Sequence, residues 1–152
     1  MGFLNQIIER VASIQQGISG ITQAYPYAPA SPTALDVPFF VNEVIPSGNR
    51  SQIAAVTGQQ EMDFKINMIL CYAPVQSDYN IQLVEANTLT WVDIVYQTFA
   101  GHVQLRGDLY FLHDAFIMDW GGPGEYSIGD TVWSALRFTL RTRLFYPQTV
   151  AP

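Results

Sequence analysis

An α+β fold is predicted for this chain: one mostly antiparallel sheet of about four strands with two helices packed on one face. Three patterns predict it. Residues 4–14 repeat apolar side chains at helical spacing, residues 60–72 and 131–146 alternate apolar and polar side chains with period two, and a second helical stripe over 77–101 separates the strands into two pairs. The order is α-β-β-α-β-β. Two singly striped helices are buried most economically on one apolar sheet face, which leaves the opposite face polar. At 152 residues, with no internal repeat and no linker, residues 1–152 read as a single domain.

The first element is an amphipathic helix. Leu4, Ile7, Ile8, Val11 and Ile14 form its stripe, Asn5, Glu9 and Ser13 fall away from it, and Gly17 and Gly20 mark its end. The stretch from Tyr25 to Pro38 follows, in which Pro26, Pro29, Pro32 and Pro38 exclude regular helix. Tyr25 and Tyr27 are expected to pin it to the body. A short strand runs from Phe39 to Ile45. Pro46 to Gly58 reads as a long polar loop with an apolar island at Ile53–Val56; a loop of that length in a small domain is usually functional.

The second strand is clearer. Met62, Phe64, Ile66, Met68, Leu70 and Tyr72 alternate with Glu61, Asp63, Lys65 and Asn67, and Pro74 stops the run. In the main helix, capped by Ser77 or Asp78, the inward stripe is Ile81, Val84, Thr88, Trp91, Val92, Val95 and Phe99; Gly101 ends it. Asp114–Trp120 is a strand, and Gly121-Gly122-Pro123-Gly124 reads as the tight turn after it. In the last strand, Thr131–Tyr146, Leu136, Phe138, Leu140, Leu144 and Tyr146 face one way, and Arg137, Thr139, Arg141 and Arg143 the other.

Composition narrows the function. Hydrophobic residues make up 49% of the chain, enough for a real core, and charged residues only 13%. A typical soluble domain carries roughly 25% charge, so part of this surface is expected to lie against other protein. Seven Lys and Arg against thirteen Asp and Glu give −6, the wrong sign for a protein whose task is to grip nucleic acid. The single cysteine, Cys71, allows no internal disulfide and reads as a small buried hydrophobe. Glu9 and Arg10 interrupt the N-terminal apolar residues, so no signal peptide is expected, and no apolar run reaches membrane-spanning length. A soluble protein made in the cytosol is the expectation.

No catalytic pattern stands out. There is no Gly-x-Ser-x-Gly elbow, and the Gly121–Gly124 run lacks the Lys-Ser/Thr ending of a phosphate loop. Asp63, Asp93 and Asp119 show no pairing suited to acid–base work. His102, Asp108, His113 and Asp114 form the one grouping that points toward a metal, and their spacing matches no strong ligand motif. No enzyme activity, metal or cofactor is expected.

The interface candidates are therefore Arg137, Arg141 and Arg143 on one strand face, with Trp133 expected to be exposed beside them. Glu61 and Asp63 on the second strand, and Arg50 and Ile53 in the long loop, complete the set. Two readings of the arginine row stand side by side. It forms cross-strand ion pairs within the chain, worth about 0.2–1 kcal/mol each, or it contacts an acidic neighbour.

The layout resembles the tail-terminator, or tail-completion, proteins of long-tailed bacteriophages. The resemblance rests on the amphipathic start Phe3–Val11, the Tyr25-Pro26-Tyr27 connection, the strand Phe39–Val44, the helix with Trp91, Val92, Val95 and Phe99, and two closing strands ending in Arg137–Arg143. It covers most of the chain as order and length, not as a signature motif. It implies a virion protein forming a ring, usually a hexamer, at the head-proximal end of the tail. Such a ring stops growth of the tail tube, meets the tube protein and the head–tail connector proteins, and lets DNA pass its lumen unbound. The loop Pro46–Gly58 is then a candidate contact with the tail or a neighbouring copy, and the arginine row a contact between subunits. A different neck or head-joining protein, or a small-molecule-binding α+β module with aromatics between helix and sheet, are the alternatives.

Overall fold

The structure is a computed structural model that describes residues 3–29, 32, 36–45, 50–53, 60–74, 81–102 and 112–146; side chains are described over 5–29, 32, 36–45, 65–73, 88–102 and 118–142. The elements are α1 (Phe3–Gln16), β1 (Gln23–Tyr25), β2 (Phe39–Val44), β3 (Arg50–Ile53), β4 (Gln60–Pro74), α2 (Ile81–Ala100), β5 (Leu112–Ile128) and β6 (Thr131–Tyr146). Among the described residues six strands form one sheet in the order β1-β2-β4-β6-β5, with β3 also paired to β4. The strands β2 and β3 lie end to end along one side of β4: β2 opposes Ile66–Cys71 and β3 opposes Gln60–Asp63. Only β1 and β2 are parallel; every other pair is antiparallel. The predicted α+β class with two helices stands, and the sheet is mixed and wider than expected.

Both helices pack on one face. Ile7, Ile8, Val11 and Ile14 of α1, with Val95 and Phe99 of α2, close over Phe40, Ile66, Met68, Leu70, Leu136, Phe138 and Leu140. The period-two pattern of β4 and β6 delivers these strand residues to one side. Trp91, Val92 and Tyr96 pack against the rim of this core. Tyr96 also donates its hydroxyl to the Met118 carbonyl (2.6 Å), which ties α2 to β5.

The end of α1 is built around glycine. Gly17 N–H reaches back to the carbonyls of Ser13 and Ile14. Gly20 takes φ 92° and lies under the Trp91 ring, where a Cβ would sit 3.4 Å from it. Below this turn, Gln15 and Asn42 exchange two amide hydrogen bonds of 2.8 Å in the core, and Asn42 Nδ2 also donates to the Tyr25 carbonyl at 3.0 Å. Next to it, Gln16 Oε1 accepts from Ala24 N–H at 2.8 Å. One buried amide pair thus joins α1, β1 and β2. The expected pinning of the connection is seen: Tyr25 meets Phe39 edge-on (5.8 Å), and Tyr27 donates to Asn5 (2.7 Å).

Three expectations are corrected. Residues 50–53 are strand, not loop. β4 extends beyond the reach of β2, and the backbone groups of Gln60–Asp63 take β3 as partner instead of standing open. Pro46–Asn49 and 54–59 lie outside the described residues.

The Gly121–Gly124 run is not a turn but a bulge inside β5. Gly121 opposes Arg137 and Gly124 opposes Ala135, so one extra residue is absorbed there. The turn is Gly129-Asp130, between Ile128 and Thr131, with Gly129 at φ 58° in the first turn position, where a type II′ hairpin turn favours glycine.

The third correction is the far face of the sheet, which is not polar throughout. Phe39, Val41, Ile69, Cys71, Ile128, Trp133 and Ala135 form a second buried cluster there, with Tyr25, Val37 and Tyr126 packed against it. The strands β2 and β4 are apolar on both faces at this end. The bulge in β5 makes the cluster possible. Before it, Asp119 and Gly121 share the far-face rows; after it, Gly124, Tyr126 and Ile128 do. Unbroken alternation would have turned Glu125 and Ser127 onto the apolar cluster.

Candidate interaction surface

The far face divides into an apolar end and a charged middle. Register places Arg50, Asp63, Arg143 and Asp114 in one row across β3, β4, β6 and β5. Lys65 and Arg141 stand opposite each other in the next row, and Glu43, Asn67, Thr139 and Asp119 fill the one after. Thr139 donates to Asn67 across the strands (3.2 Å). Glu61, opposite Phe145, and Arg137, opposite Ile69, belong to further rows of the same face.

Five of the seven cations and five of the thirteen acids therefore belong to this one face by register, and their charges cancel. The net −6 equals the balance of the remaining two cations and eight acids of the sequence. The row Arg50–Asp63–Arg143–Asp114 alternates in sign, the arrangement that favours cross-strand pairing within the chain. The Lys65–Arg141 row does not: like charges directly opposite destabilise a sheet.

At the border between charge and apolar cluster, the guanidinium of Arg137 lies 5.6 Å from the centre of the Tyr126 ring. The Tyr126 hydroxyl donates to Glu43. Burial first, and then the Glu43 carboxylate, push the Tyr126 phenol well above its ordinary range, while Arg137 acts against them. The hairpin end of β5–β6 is thereby clasped to β2 across 83 residues of chain.

Trp133 is corrected as an interface candidate. It shares the far face with the arginines, as expected, but is 0% exposed, held edge-on to Phe39 (5.1 Å) in the second cluster. Its Nε1 has no hydrogen-bond partner among the described residues. The exposed tryptophan is Trp120, at 42%, beside the exposed bulge on β5. Its signal in the sequence was position: it follows Asp119 on the outermost strand and precedes three glycines. Arg137 is exposed and Arg141 half-buried. The side chains of Arg143, Glu61, Asp63, Arg50 and Ile53 lie outside the described ones; by register Ile53 belongs with Gln60 and Tyr146, in a row apart from the charged rows.

The long edge β5 carries devices that discourage a further strand. It has bulges between Ala115 and Ile117 and between Gly121 and Gly124, a proline at 123, and the Tyr96 hydroxyl on the Met118 carbonyl. The opposite edge is broken into short strands, β1 of 3 and β3 of 4 residues.

Among the described residues no group of three His, Cys, Asp or Glu is placed to hold a metal. Asp108 and the side chains of His113 and Asp114 lie outside them. No described helix is long and apolar enough to cross a membrane.

Cys71 is fully buried in the second cluster, and burial pushes its thiol from 9.0 up to about 12. The unfolded chain gives up this proton from about pH 9 and the folded chain only near 12. The stability linked to this group is therefore complete below pH 9 and is lost as pH rises toward 12. Tyr126 acts in the same direction above its model-peptide value of 10.0. Denaturant midpoints are expected to fall between pH 9 and 11, and to fall less steeply in Cys71→Ala, whatever that variant loses at neutral pH. An unchanged slope would remove the thiol from the account.

Comparison of the chain with known protein families and with curated proteins gives no match.

Proposed function

We propose that this chain is a non-enzymatic structural protein that assembles with copies of itself into a ring. In the narrower form, it is the terminator ring at the head-proximal end of a bacteriophage tail, meeting tube and connector proteins. One observation carries the reading. Charged residues are only 13% of the chain, and by backbone register half of them belong to one sheet face with signs that cancel, a charge content that suits surface buried between proteins. A ring whose remaining charge is acidic passes DNA without capturing it, because like charges repel.

Solution mass by light scattering, with negative-stain images of the same sample, tests this. Closed rings, alone or on tail tubes, are the expected result; monomers under both conditions overturn it.

The variant Arg141→Glu separates assembly from folding. It sets Glu against Lys65 where two cations now face each other, so the subunit is expected to melt at the same temperature or higher, by about 0.2–1 kcal/mol of stability. If Arg141 meets an acidic neighbour, the same change lowers the ring fraction. Intact rings from Arg141→Glu would place the subunit contact elsewhere, and Trp120→Ala is the next variant, since an exposed tryptophan suits an interface hot spot.

A further inference from the structure

We draw no further inference here: the strongest candidate, the surface patch around Trp120 beside the glycine bulge of the edge strand β5, has nothing in the structure to show what covers it.

Discussion

Replacing Asn42 with alanine is expected to lower stability by about 3–5 kcal/mol, since it strips partners from several buried polar groups at once, each costing roughly 1–3 kcal/mol when left unpaired. The groups are both ends of the Gln15 amide and the Tyr25 carbonyl, and Gln15 is as buried as Asn42. A loss of that size is a large part of the roughly 5–15 kcal/mol that holds a typical domain folded, so the variant should be partly unfolded at moderate urea. The effect is not the value of the bonds themselves. Gln15→Leu combined with Asn42→Leu removes both amides and leaves only the Tyr25 carbonyl in question, so the double variant is expected to recover most of the loss. Urea melts of Gln15→Leu, Asn42→Leu and the double variant give the coupling directly. Additive losses, or a cost below about 1 kcal/mol for Asn42→Ala, would mean that the pair does not tie α1 to the β1–β2 edge.

The second large effect is expected at Gly122. Its φ of 114° is a conformation that side chains rarely adopt, and a Cβ there would meet the Ala135 carbonyl oxygen at 3.1 Å and Gly124 N at 3.2 Å. Both neighbours are backbone and cannot move aside cheaply. Gly122→Val is expected to cost about 1–3 kcal/mol, equivalent in a chain of this size to a Tm fall of roughly 2–12 °C. Gly121→Ala and Gly124→Ala are the controls. Neither position has an atom within 4 Å of its added Cβ, and both should melt within about 0.5 kcal/mol of the parent. Three equal melts would show that the bulge is not held in this geometry. If Gly122→Val instead drives the strand to regular alternation, Glu125 comes opposite Trp133 with Ser127 next on the same face, and dye binding to exposed apolar surface should rise with the fall in Tm.

The elements that the sequence made legible are those whose length lets a period repeat. Helix α1, strand β4 and strand β6 each carry several turns or alternations, and their described parts lie where the pattern puts them, with β6 matching its predicted span. The strands β1 and β3 are too short for any period, and their existence is decided by what stands opposite: β3 by the projecting end of β4, β1 by its parallel register with Phe39–Val41. Glycine and proline at 121–124 punctuate a chain in the same way whether it turns or bulges, so composition alone could not separate the two. The second apolar cluster did leave a mark. Phe39-Phe40-Val41 and Ile69-Leu70-Cys71 are unbroken apolar runs, the sign of a strand covered on both faces, and reading them as singly faced is what sent Trp133 to the surface.

The candidate surface was legible in its residues but not in its balance. The arginines of β6 are visible as a row in the sequence. That Asp63 and Asp114 stand on either side of Arg143, while Arg141 stands opposite another cation, depends on register between strands far apart in the chain. No pattern within one strand contains that information.

The pairing of β4 with β6 also bears on how fast this molecule reaches its fold. Asn67 and Thr139, hydrogen-bonded neighbours at the centre of the sheet, are 72 residues apart, and the whole of α2 lies between them. The β5–β6 hairpin, by contrast, closes on a two-residue turn and can zip locally. Closing the long loop costs chain entropy before the central ladder repays it. The hairpin is therefore the natural early structure and its docking on β4 the slow step. Until that docking, Leu136, Phe138 and Leu140 lack their β4 neighbours, and aggregation is expected to compete most at this stage.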